Sequence, residues 1–149
     1  SAFKPVDLAD LVQDLAETYG PVIEDTGRTL RTEITPTAPI DGDRELLVQL
    51  VANLLQNAIR HTPEGSDIKI AVQQNRLSVT DTGPGIPAAD RDKVLEPLFR
   101  LEHSRTTEGA GLGLALVRAV ADLHDAKLTL ADTTEAPSGL TVTLFFSPL

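Results

Sequence analysis

Residues 45–61, ELLVQLVANLLQNAIRH, decide how this chain is read. At about 100° per residue, Leu47, Val48, Leu50, Val51, Leu54, Leu55, Ala58 and Ile59 fall in one broad apolar arc. Glu45, Gln49, Gln56 and Arg60 fall opposite it. The stretch is an amphipathic helix, and its asparagines are the odd feature. Asn53 and Asn57 lie one turn apart, at the border of the two faces. Asparagine costs a helix interior about 0.5–0.7 kcal/mol relative to alanine. An edge position suits a side chain that lines a cleft, where an amide oxygen can coordinate a hard cation or join a hydrogen-bond network. A pair of solvated border residues is the other reading of this helix alone.

Moving outward, the chain of 149 residues is long enough for one domain with a real core. Its 41% apolar content places it among globular chains. No apolar run approaches the ~18 residues of a membrane span, and SAFKPVDLAD lacks the basic start and apolar block of a signal peptide. The chain has no methionine, so a fragment or processed product is expected. Cysteine is absent too, which excludes disulfides and thiolate metal sites. A formal net charge of −9 argues against nucleic acid or an anionic membrane as the main partner. It also disfavours a phosphorylated ligand, unless helix N-termini, backbone N–H groups, a divalent cation or a few placed arginines overcome the field.

On the N-terminal side, residues 7–19 read as a helix with Asp7 as N-cap and Leu8, Leu11, Val12 and Leu15 as its stripe. Gly20-Pro21 is expected to end it. Residues 28–34 read as a strand, and a short edge strand is expected near Ile40. Asp41 or Asp43 then caps the central helix, and Pro63 and Gly65 enforce the turn after it. On the C-terminal side, 67–73 and 76–81 alternate around Gln74-Asn75, a hairpin signature. A short helical piece is expected over about 88–95 and a helix over about 112–124. Strands over 127–132 and 139–146 close the chain. The expected fold is an α/β two-layer sandwich: a mixed, mostly antiparallel sheet covered on one face by three helices. The order lacks βαβ alternation, which disfavours a Rossmann or P-loop architecture.

Two glycine clusters precede the last helix. Asp81-Thr82-Gly83-Pro84-Gly85-Ile86-Pro87 leaves the end of a strand and exposes backbone. A carboxylate there can accept from an exocyclic amine such as that of adenine; a plain turn closed by Asp81 is the alternative. Gly109-Ala110-Gly111-Leu112-Gly113 opens an apolar helix whose first N–H groups can bind phosphate. It is not a Walker loop, and alone it also fits a hinge with an N-cap.

Together these stretches resemble the catalytic, ATP-binding domain of bacterial two-component sensor histidine kinases, in the superfamily shared with DNA gyrase, the large heat-shock chaperones and MutL. Residues 53–63, NLLQNAIRHTP, resemble the asparagine box; 81–87, DTGPGIP, the first glycine box; 95–100, LEPLFR, the phenylalanine box; 109–115, GAGLGLA, the second glycine box. The resemblance spans essentially the whole chain and implies a Bergerat-type fold over residues 1–149.

The resemblance implies ATP and Mg²⁺ as ligands. Asn57 would coordinate Mg²⁺ through its amide oxygen, with Asn53 supporting the same shell. Mg²⁺ keeps waters and bridges phosphate oxygens, so few protein ligands are needed. Arg60 would contact phosphate, and His61 ribose or phosphate. Asp81 would read the adenine amine; Gly83, Gly85 and Ile86 would let the base lie against the backbone. Gly109, Gly111, Leu112 and Gly113 would hold phosphate. Residues 88–110 would form a lid, with Arg100 and Arg105 as the cations that stabilise the transferring phosphate. The ATP-hydrolysing relatives usually carry a glutamate where Asn53 stands. Asparagine cannot act as a base, which favours transfer to a protein acceptor over hydrolysis. Leu95 and Leu98 replace the usual aromatics, leaving Phe99, and His103 replaces the usual lid lysine.

By the same resemblance the acceptor histidine lies on a separate dimerising hairpin. His61, His103 and His124 are better read as local residues than as acceptors. The expected whole is a homodimeric inner-membrane sensor that feeds a response regulator, with this domain cytoplasmic and monomeric in isolation, and no nucleic-acid partner. An ATP-binding regulatory module without transfer, and an anti-sigma-type serine kinase, are the competing readings.

Overall fold

The structure, a computed structural model, describes residues 2–82, 89, 110–132 and 139–149, with 110–113 described at the backbone only. Three helices and seven strands lie in these residues. β1 (Lys4–Val6) pairs antiparallel with β3 (Ile40–Gly42) in a small two-stranded sheet. β2 (Thr29–Ile34), β4 (Asp67–Gln73), β5 (Arg76–Asp81), β6 (Lys127–Asp132) and β7 (Leu140–Phe145) form the main sheet, in the order β2-β4-β5-β7-β6. Only β2 and β4 run parallel. Parallel neighbours need a crossover, and the central helix, α2 (Arg44–Arg60), lies within it. β4 and β5 are instead joined by Gln74-Asn75, with Gln74 at φ 55°.

Period-2 alternation decides which face of the sheet is covered. Ile68, Ile70, Val72, Leu77, Val79, Leu140, Val142 and Leu144 are buried beneath the helices. Lys69, Ala71, Ser78, Thr80, Thr141 and Thr143 face the other way and line a shallow concavity of about 310 Å³. The apolar arc of α2 is buried as its periodicity requires: Leu47, Leu50, Val51, Leu54, Leu55 and Ala58 all lie in the core. α1 (Leu8–Asp25) and α3 (Ala110–Leu123) pack on either side of it.

The first helix corrects an expectation. It does not stop at Gly20-Pro21 but continues to Asp25. A helix-interior proline costs about 3 kcal/mol, through a lost N–H bond and a clash with the preceding turn. Part of the penalty falls on the residue before proline, whose Cβ meets the ring. Here that residue is Gly20, which has no Cβ. The extra turn buries Ile23 completely, which returns about 1.5–3 kcal/mol. Thr26 and Gly27 then close the helix onto Ile23 and Glu24 carbonyls. At the other end Asp7 caps as expected, with Oδ1 accepting from Ala9 N at 2.9 Å and Asp10 N at 3.3 Å.

β1 was not expected from the sequence. Three residues containing a proline give no alternation, and Pro5 can sit only at an edge. It forms because Val6 and Ile40 are buried side by side.

The direction of α3 matters most for the site. His124, just past its C-terminus, accepts a hydrogen bond at Nε2 from Asp43 N at 3.0 Å. Asp43 is the N-cap of α2. The C-terminal end of α3 therefore meets the N-terminal end of α2, and α3 runs back along α2. Its 14 residues span about 21 Å at the usual helical rise, which brings its first turn toward the Asn57 end of α2.

Candidate functional site

Asn57 is not a border residue but a buried one, 6% exposed. Its Oδ1 has no hydrogen-bond partner among the described residues. A buried polar oxygen left unpaired costs about 1–3 kcal/mol, in addition to asparagine's poor helix propensity. A hard cation is the ligand that such an oxygen suits. Among the described residues no group of three or more His, Cys, Asp or Glu side chains could hold a metal. Asn53, one turn earlier, is partly exposed, and its Nδ2 donates to Gln49 O at 2.7 Å. Its amide nitrogen is thereby tied to the helix backbone.

The chain leaves α2 through His61, whose N–H bonds back to Asn57 O. Burial holds the imidazole below its usual 6.5; Asp81 opposes this and Arg60 adds to it. His61 is thus biased toward the neutral form, with the Asp81 carboxylate near enough to be felt. Arg60 itself is exposed.

Asp81 ends β5, the central strand, on the helix-covered side, and is 5% exposed. Its Oδ1 accepts from Leu140 N at 3.2 Å, across to β7. Thr82 Oγ1 accepts from Asp67 N at 3.1 Å, tying the start of the glycine turn to β4. The carboxylate is fixed by the sheet before any ligand arrives.

α3 starts at Ala110, two residues before the expected start. Gly111, Leu112 and Gly113 therefore lie in its first turn. The first four N–H groups of a helix have no intrahelical acceptor, and they form an anion-binding end. Gly83, Gly85, Ile86, Gly109, Arg100 and Arg105 lie outside the described residues, as do His103, the helical piece expected over 88–95 apart from residue 89, and residues 95–100.

No sequence pattern singles out Arg28. It reaches from the loop after α1 to the turn after α2. Its Nε donates to Thr62 O at 3.2 Å and Thr62 Oγ1 at 3.0 Å, Nη2 also donates to Thr62 O, and Nη1 donates to Thr26 O at 2.9 Å. Thr62 Oγ1 in turn donates to Ala58 O at 2.7 Å. Asp81 and the Asn57–His61 turn meet at one end of α2, toward which the first turn of α3 points. The result is a two-layer α/β sandwich in which these groups gather at one end of the central helix.

Residues 42–149 match the family described as histidine kinase-, DNA gyrase B-, and HSP90-like ATPase, and the chain belongs to it. The adaptive-response sensory kinase SasA of Synechocystis sp. is 36% identical over 127 residues, 81% of this chain and 33% of that protein. The catalytic domain of histidine kinase ThkA superposes with a TM-score of 0.79 at 26% identity, covering 97% of this chain and 94% of that one. Full-length ShkA, solved in complex with AMPPNP, shares the fold at a TM-score of 0.76 and 23% identity, covering 99% of this chain and 32% of that one. The chain is of the histidine-kinase catalytic type and spans about a third of the curated relative it matches.

Proposed function

We propose that this domain binds Mg-ATP and passes its γ-phosphoryl group to a histidine on a separate dimerising hairpin of the same protein, from which a response regulator is charged. The observation that carries the reading is the buried, unpartnered Oδ1 of Asn57. In the proposal Asn57 holds Mg²⁺ with support from Asn53, and the ion neutralises phosphate charge when bound. His61 and Arg60 face the sugar and phosphates. Asp81, already oriented by Leu140 N, accepts from the adenine amine. Gly83, Gly85 and Ile86 line the base; Gly109, Gly111, Leu112 and Gly113 present N–H groups to phosphate; Arg100 and Arg105 stabilise the transferring group. The AMPPNP complex of ShkA supports a nucleotide in this fold. In the transfer, the bond from γ-phosphorus to the ADP oxygen breaks, a P–N bond forms, and the imidazole proton leaves.

We assign residues 1–149 to one catalytic domain working in the cytoplasm, where ATP is supplied. No helix among the described residues is long and apolar enough to cross a membrane, and a membrane anchor, where the whole protein has one, is assigned to segments outside this chain. The test is to mix this chain with the hairpin of its own full-length protein and labelled ATP. Magnesium-dependent label on the hairpin histidine, and none on this chain alone, is the expected result. Stable phosphohistidine on this chain alone would contradict it, and binding without transfer would favour a regulatory module.

A further inference from the structure

The turn after α2, residues 61–66, carries His61 and sets where the Asn57 end of the helix sits. Its own bonds are His61 N to Asn57 O at 3.1 Å, Thr62 Oγ1 to Ala58 O at 2.7 Å, Ser66 N to Pro63 O at 3.2 Å and a long Thr62 N to Ile59 O at 3.5 Å, and Pro63 has no N–H to give. Another part of the chain holds it as well. Arg28 grips the carbonyl and hydroxyl of buried Thr62 together. Gly65 N donates to Gly27 O at 2.8 Å, and Thr29 N to Ser66 O at 3.1 Å. Gly27 and Gly65 sit at φ +81° and +88°, which brings the two loops edge to edge. The guanidinium also lies at the C-terminal end of α2, where positive charge is favoured.

We infer that Arg28 is a positioning residue for the nucleotide site: through Thr62 it fixes the last turn of α2, and with it Asn57 and His61. The inference rests on the nucleotide reading above. Arg28 acts by geometry, through its bonds to Thr62 and Thr26. Only a planar fork serves two acceptors of one residue while holding Thr26 O with its remaining nitrogen.

The test uses Arg28→Gln and Arg28→Lys in this chain, at a temperature where unfolding curves show both folded. Mg-ATP affinity should fall about tenfold in both, as for partners that orient a metal ligand. In NMR spectra recorded without nucleotide, the Asn57 side-chain amide and the His61 backbone amide should shift in both variants as the last turn of α2 loosens. Wild-type affinity in Arg28→Lys, or unmoved Asn57 and His61 amide signals in both variants, would overturn the inference. If Arg28→Gln does not fold, Arg28→Lys and Thr62→Val carry the same two readouts. The amide spectra need no nucleotide. A wild-type chain that fails to bind Mg-ATP while the Asn57 and His61 amides still respond to Arg28 would sink the site reading and leave the clamp standing.

Discussion

At its N-terminal end, α2 is closed by partners that satisfy one another. Asp43 Oδ1 accepts from Leu46 N, Asp43 N donates to His124 Nε2, and His124 Nδ1 bonds to Val120 O at 2.8 Å. In that pattern Nε2 is the acceptor and Nδ1 faces a carbonyl. Phe3 stacks on the ring with centroids 4.8 Å apart, and Phe146 meets it edge-on. At its C-terminal end the same helix is clamped from outside by Arg28, yet keeps Asn57 Oδ1 buried and unpaired. His61 there is held away from its charged form. One end contributes stability. The other gives up stability to leave an oxygen available, the pattern expected where a ligand completes the bonding.

The largest effect should come from the satisfied end. His124→Ala removes a buried ring and two hydrogen bonds and strands Asp43 N, so it should cost about 2–4 kcal/mol. Urea unfolding measures the loss, while Mg-ATP affinity in the folded variant should not change. A variant of wild-type stability that binds nucleotide poorly would reverse the assignment of the two ends. A smaller change of opposite sign is expected for Asn57→Ala. Losing the unpaired oxygen and gaining helix propensity should raise stability without ligand by about 1 kcal/mol. A clear loss would mean that the amide is structural.

The smallest effect is on pH dependence. His61 has a folded pKa below its unfolded 6.5. As pH falls through that window the unfolded chain takes up more protons, so stability is fuller above 6.5 and declines below it. His61→Gln should flatten this part of the stability profile, and an unchanged slope would show that His61 is not the group responsible.

Much of this was legible in the chain, for identifiable reasons. The period of α2 and the alternation of β4 and β5 are local signals, and all three elements lie within a residue of their expected bounds. Asp81 stood out because it ends a strand before a glycine turn. What failed was non-local. A helical wheel places Asn57 at a border; the neighbours packed around α2 bury it. Gly20-Pro21 reads as a stop because the compensating burial of Ile23 in the core is not visible in sequence. Arg28 carried no signal, since its partners are mainly a carbonyl and a hydroxyl 34 positions away.

The central claim is that Asn57 receives the cation of a bound nucleotide. Calorimetric titration of ATP with and without Mg²⁺, on the wild-type chain and on Asn57→Ala, tests it most directly. Magnesium should tighten ATP binding to the wild-type chain by about tenfold or more, and that gain should vanish in the variant. An equal magnesium gain in both proteins would contradict the claim.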